Sequence, residues 1–358
     1  MSRGAAATAF RSFDVAASRL GAVVLASLAL FCFGSLPWTF SRVPPPEGGA
    51  PQRRFEVQDL RLSLLPPRWW SLSEADVKRI EEARASGRAA PSRWLGTDRL
   101  GRDMLARCLA GGAISMLIGL SAAAIVVVVG TTYGMISGFS GGRVDAVMMR
   151  IVDILYGLPS ILLVVLLAVA VDGLLDRLGE DPPAALRQSI NLVTLLVAIG
   201  GVSWLTMGRV IRGQVMSLKA QPFMEACRAL GIPVRRQLLR HILPNLIGPI
   251  VVYATLAVPA AILAESFLSF LGIGIREPLP SWGNMAADGL PELNPIASRW
   301  WLLVWPCLLI AMTLLSLNFL GEGLRERFDP RGRAGRATAI ARAPVQSDPP
   351  NQGTVAGT

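Results

Sequence analysis

Histidine is almost missing from these 358 residues: His241 is the only one. A zinc protease needs a pair of histidines on one helical face, so that chemistry is excluded. Lysine is nearly as scarce, and neither Lys78 nor Lys219 closes a G-x-x-x-x-G-K-[ST] loop. The chain therefore does not cradle nucleotide phosphates in that way. The four cysteines, Cys32, Cys108, Cys227 and Cys307, lie far apart, mostly in or beside apolar runs. They suggest neither a disulfide framework nor a metal cluster and read as small apolar residues. Gly138–Gly142 spells G-x-S-x-G, but a hydrolase elbow needs a strand before it, and here the pentapeptide closes a long apolar run. The expectation is a non-enzymatic chain that binds no metal and no cofactor of its own. The net charge of +10 is mostly arginine, with no basic face of interleaved aromatics. Clusters at membrane edges account for it better than nucleic-acid binding does.

Charge itself is missing from six stretches: Leu20–Ser41, Cys108–Gly142, Ile154–Val171, Gln188–Gly208, Ile242–Ala264 and Trp300–Gly321. They run 22, 35, 18, 21, 23 and 22 residues. A bilayer core is crossed by about 20 helical residues. The fold class expected is all-α, an integral membrane protein with six transmembrane helices. Arg3, Arg11 and Arg19 precede the first run, which is longer than a signal-peptide core and lacks a clean small-x-small site. It reads as an uncleaved anchor.

Basic residues in short loops set orientation. Asp172–Arg187 carries four acids against two arginines and reads as an outside loop. Arg209–Asn245 carries seven basic residues against Glu225 alone and reads as inside. Both termini then fall inside, where Arg325, Arg327, Arg331, Arg333 and Arg336 also fit. Arg42–Arg107 must be outside despite 13 basic and 9 acidic residues; at 66 residues it is long enough to escape the rule. Within it Ser73 is placed to cap a small helix in which Glu74 pairs with Lys78. The tail after Asp329 lacks apolar periodicity and reads as disordered. The organisation is residues 1–41 (inner terminus and first span), 42–107 (extracytoplasmic), 108–329 (five-span core with the loop 209–245) and 330–358 (tail).

The inside loop contains "PFMEACRALGIPVRRQLLRHILPN", from Pro222 to Asn245. Pro222 suits a helix's first turn. Glu225 stands early, where the helix dipole favours an acid. Gly231 follows Leu230 as a residue able to turn left-handed. Pro233 is expected to start a second helix that Pro244 ends. The second helix, basic on one side and apolar on the other, could lie on the anionic inner leaflet, but the first has too little apolar area to anchor in lipid, and a helix–glycine–helix knob suits insertion into a cleft on a soluble partner.

Glu225-Ala226-Cys227, then Gly231, then His241-Ile242-Leu243-Pro244 resembles the EAA coupling loop of ABC importer permeases. Cys227 stands where a small residue, usually Ala, is found. Trp94–Leu120, Ala264–Met285 and Leu320–Arg331 resemble further stretches of the dipeptide, oligopeptide and nickel branch, in its C-type subunit. Ala113 departs from that pattern, where a basic residue is usual. The resemblance covers about Ser92–Arg331 and implies a type I ABC importer permease in the bacterial inner membrane. It also implies a homologous B-type permease partner, two ABC ATPase subunits that carry ATP and Mg, and a periplasmic solute-binding protein. Glu225, Ala226, Cys227, Leu230 and Gly231 are then the docking residues. The implied cargo is di- or oligopeptides, with nickel chelates or another solute as the alternative.

Glu265 follows 23 uncharged residues, and an acid at membrane depth is a functional candidate. It could line the pathway, be paired within the bundle, or sit at the interface. Pro249 and Pro259 are placed to kink that span. Trp282, Trp300 and Trp301 read as an outer aromatic belt. An ion-coupled secondary transporter is the alternative of another class; it needs deep acids and an inverted repeat, and the chain offers one deep acid and no repeat.

Overall fold

The computed structural model describes residues 2–46, 48–85, 92–177, 183–294 and 298–328. The expected tail lies outside them. The helices are α1 (Ser2–Gly34), α2 (Leu36–Thr39), α3 (Glu74–Ala85), α4 (Met104–Ser140), α5 (Gly142–Tyr156), α6 (Ser160–Arg177) and α7 (Ala184–Lys219). They continue as α8 (Pro222–Ala229), α9 (Val234–Arg236), α10 (Leu243–Phe270), α11 (Trp282–Gly289) and α12 (Trp301–Phe328). A two-stranded ribbon, β1 (Arg42–Val43) with β2 (Gln52–Arg53), is antiparallel, with Arg42 opposite Arg53.

Among the described residues five helices are long and apolar enough to cross a bilayer: Ala16–Thr39, Met104–Ser140, Leu186–Lys219, Val234–Phe270 and Trp301–Glu326. The expected third span, Ile154–Val171, is broken instead, because α5 and α6 meet at 86°. Packing direction decides how to count this pair. Gly130, Gly134 and Gly138 of α4 lie against Met207, Ile211 and Val215 of α7 in that order, so the two helices run parallel. Parallel neighbours require one crossing between them, and α5–α6 is the chain available to make it. The fold is an all-α, six-span membrane bundle.

Those glycines explain the closest packing. A Cβ on Gly134 would fall 2.5 Å from the Gly208 carbonyl oxygen, and one on Gly130 or Gly138 would fall 2.6 or 2.7 Å from α7. Lipid offers helices no hydrophobic drive to associate, so small residues that admit close backbone approach hold the bundle. α10 runs antiparallel to α4, with Gly119 on Ile262, and α1 antiparallel to α12, with Gly21 on Phe319.

Three local expectations are corrected. Pro244 does not end a helix: α9, a π-helical turn over Gln237–Ile242 and α10 form one continuous element. The wider turn accommodates the proline ring, and the Asn245 Nδ2 donates to the His241 carbonyl at 2.6 Å. Ser73 does cap α3, accepting from the Asp76 N–H at 3.2 Å, but the ion pair there joins Arg79 to Asp76 at 3.3 Å rather than Glu74 to Lys78. Trp282 and Trp301 are buried core residues at 0% and 4% exposure, not belt residues.

Candidate coupling surface and intramembrane polar site

α7 ends at Lys219, and Pro222 begins α8 at its first turn, where a missing N–H costs nothing. One face of α8 is apolar. Met224 is fully buried and Phe223 packs beside it, in a cluster with Ile211, Val215, Ile242 and Leu246. Cys227 lies on the same inward side at 6% exposure. The other face is open: Glu225, Ala226, Leu230 and Gly231 are exposed, Leu230 at 78%.

The corner after α8 is closed by its backbone. The Ile232 N–H donates to the Cys227 carbonyl and the Gly231 N–H to the Arg228 carbonyl, both at 3.0 Å. Gly231 has φ +66. This is the paired capping pattern in which a left-handed residue satisfies the last helical carbonyls. Beyond it, the Gln237 Nε2 donates to the Ile232 carbonyl at 2.6 Å and fixes the return into α9.

The knob is tied to the bundle through charge. Arg228 donates to the Lys219 carbonyl at 3.0 Å, and the Lys219 ammonium to the Phe139 carbonyl at the end of α4. Arg212 grips Asp145 of α5 with two bonds of 2.5 and 2.6 Å, and the Ser137 hydroxyl donates to the same carboxylate. Arg209 pairs with Asp153 at 2.8 Å and lies over the Tyr156 ring. Two of the loop's seven basic residues are thus spent on α5, while Glu225 has no ion-pair partner among the described residues. Planar two-bond guanidinium contacts hold orientation as well as proximity. Among the described residues the arrangement is one of charge pairs and a closed helix cap. It offers a rigid exposed knob joined to the ends of α4, α5, α7 and α10.

Glu265 is fully buried inside the bundle. Ser269 donates to it at 2.7 Å and Ser266 lies 3.4 Å away on the same helix. The hydroxyls of Ser115 on α4 and Ser281 before α11 converge on the same carboxyl. Ser281 also caps α11 in a reciprocal pair with Asn284, and the Trp282 indole N–H donates to the Cys108 carbonyl at 2.9 Å. Of the three placements open to Glu265, the bundle interior is the one found. It lines neither the cavity of ≈ 590 Å³ beside Tyr156, Thr206 and Tyr253 nor the one of ≈ 670 Å³ beside Arg42 and Arg276.

A buried ionic cluster stands near the α11 end. Asp98 accepts from Arg102 at 2.6 Å and from Arg107, and Arg102 reaches Glu277 at 2.8 Å. The Asp98–Arg102 spacing is visible in the sequence as i,i+4. The partners across α5–α7 and α4–α11 are not, because they depend on how helices meet. Ala113, which departs from the resembled pattern, is buried against Cys32, Met116 and Trp282, with no room for a long basic chain.

A family profile of the binding-protein-dependent transport system inner membrane component matches residues 130–334. The chain belongs to this family. It is 42% identical over 240 residues to the oligopeptide transport system permease protein OppC of Haemophilus influenzae, covering 67% of this chain and 71% of that protein. It is 42% identical over 240 residues to the dipeptide transport system permease protein DppC of Bacillus subtilis, covering 67% and 69%. With OppC of Escherichia coli K12 the identity is 45% over 242 residues, covering 67% and 73%. The protein is thus a multi-pass inner-membrane transport permease component with the type I ABC importer permease fold, and the secondary-transporter alternative is set aside.

Proposed function

We propose that this chain is one of two permease subunits of an ATP-driven importer and carries di- or oligopeptides from periplasm to cytoplasm. The observation that carries the coupling role is α8: a capped helix with a buried apolar face, an exposed face and an acid that has no ion-pair partner among the described residues. In this reading both termini and α8 are cytoplasmic. Glu225 pairs with a basic residue of an ABC ATPase subunit, and Ala226, Leu230 and Gly231 lie against it. Cys227 contributes from within by seating α8 on the bundle. ATP and Mg stay on the two ATPase subunits, and this chain binds neither. A homologous B-type subunit completes the pore, and a periplasmic binding protein delivers cargo to residues of the 42–107 segment and the loop before α11.

ATP-driven movement of the ATPases would shift α8 as a rigid body. The contacts of Arg212, Arg209 and Lys219 pass that movement to α4, α5 and α7 together. Switching then requires two packings of the bundle with different affinities for the ATP-bound partner. The peptide assignment draws on the names of the similar permeases; a nickel chelate is the competing cargo. Uptake of labelled oligopeptide into proteoliposomes holding the whole complex, with and without ATP, tests the reading. ATP-dependent accumulation that stops when the ATPases are omitted supports it; accumulation driven by an ion gradient alone refutes it.

A further inference from the structure

The extracytoplasmic segment holds more than the small solvated helix its sequence predicts: the Arg68-Trp69-Trp70 turn carries two large aromatic side chains in the open. Trp69 is 56% and Trp70 48% exposed. The turn is held in place: the Arg68 N–H donates to the Arg93 carbonyl at 2.8 Å and the Trp70 N–H to the Pro67 carbonyl at 2.9 Å. Just upstream, the Leu65 N–H donates to the Thr97 hydroxyl at 2.8 Å.

The neighbours of these rings fix their height along the bundle. The Trp69 ring centroid is 5.8 Å from that of Trp300 and 6.3 Å from that of Trp305; the Trp70 ring is 5.3 Å from Trp300. Trp305 lies about one turn inside the membrane-crossing part of α12, which begins at Trp301. Trp69 therefore stands at the level of the span's end with more than half its surface uncovered. Arginines flank the turn: the Arg68 guanidinium lies 5.8 Å over the ring of Trp94, itself 55% exposed, and Arg93 is near enough to both Arg68 and Arg84 to be repelled by each.

We infer that the Arg68–Trp70 turn is a foot resting in the outer lipid–water interface, with Trp69 and Trp70 among headgroups and upper acyl chains and the arginines toward phosphates. Indole rings favour this zone because one end is apolar and the other seeks a polar partner. Long basic side chains reach from apolar surroundings to phosphate. The patch adjoins the end of the α12 span through Trp300 and Trp305. The foot would brace the 42–107 segment against the bilayer and fix its height.

The test uses the whole complex in nanodiscs, with Cys307, the only exposed cysteine, replaced by alanine. Separate Trp69→Cys and Trp70→Cys variants carry an environment-sensitive fluorophore; the alanine background alone gives the blank. Glu74→Cys, exposed on α3, is the solvated reference. The expected result is loss of emission to nitroxides near the headgroup, a smaller loss to nitroxides deep in the acyl chains, and little loss to aqueous iodide. Quenching by iodide as strong as at position 74 would overturn the inference. So would protection from every quencher, which would mean that another protein covers the patch. Leu72→Cys, which leaves the tryptophan cluster whole, repeats the measurement if both tryptophan replacements fail to assemble.

Discussion

Substituting Gly231 separates backbone geometry from contact at the coupling corner. The residue has φ +66, and a Cβ there would meet no atom within 4 Å. Alanine therefore adds no clash, and its whole cost is the left-handed backbone, about 1–2 kcal/mol for an ordinary residue. Two capping bonds of 3.0 Å depend on that backbone, and each is worth about 1 kcal/mol. The corner is exposed and outside the buried clusters, so the bundle should melt as before. Docking should weaken, because the partner must close the corner at its own expense: about 1 kcal/mol corresponds to roughly a fivefold loss of affinity. Asparagine tolerates the left-handed region and should lose least, alanine more, and valine most, since β-branched chains resist it. The assay is titration of purified ATPase onto the reconstituted permease pair for Gly, Asn, Ala and Val at position 231. Equal affinity across the series would refute the reasoning, and so would Asn being as damaging as Val.

Other outcomes follow from the buried groups. Glu265→Gln keeps an acceptor for the converging hydroxyls, so thermal stability in detergent and transport should both persist; Glu265→Leu strands those hydroxyls at about 1–3 kcal/mol each and should lower the melting temperature sharply. Gly134→Val forces a side chain onto the Gly208 carbonyl across the α4–α7 contact, and the chain should fail to give a monodisperse product on gel filtration. Burial raises the pKa of Asp103 above the ordinary aspartate value, although the Ser92 hydroxyl pulls the other way. The native state then holds this proton more tightly than the unfolded chain, so stability falls as pH rises from about 4 through the raised value. Asp103→Asn keeps a side chain able to cap α4 and should flatten that part of a melting curve measured against pH.

Much of this architecture is legible in the sequence because lipid imposes a plain rule. Charge-free runs of span length must be helices, and all six fall where helices stand. The third was legible as apolar, and Gly157 and Pro159 just before Ser160 mark where a helix can break, but the 86° angle between the two halves depends on how they pack and was not legible. Pro244 misled for a local reason: a proline usually ends a helix, but a π-turn beside it removed the conflict. Gly231 and Pro222 were readable because each constrains its own backbone. Cys227 was identified as small but not as inward-facing, because an eight-residue helix gives too few apolar positions to fix its rotation. The Gly130, Gly134 and Gly138 spacing was present to be read as a packing seam. The serines around Glu265 were legible only in part: Ser266 and Ser269 share its helix, whereas Ser115 and Ser281 arrive from other elements.

The central claim is that the open face of α8 docks an ATP-hydrolysing partner. Its most direct test is the amount of ATPase that co-purifies with this chain in mild detergent, compared between the native protein and Glu225→Arg. Glu225 is exposed and has no ion-pair partner among the described residues, so reversing its charge should leave the bundle and the second permease in place. The account predicts that the permease pair is recovered and the ATPase is lost. Full recovery of ATPase with Glu225→Arg, at native stoichiometry and with native peptide-stimulated hydrolysis, would contradict it.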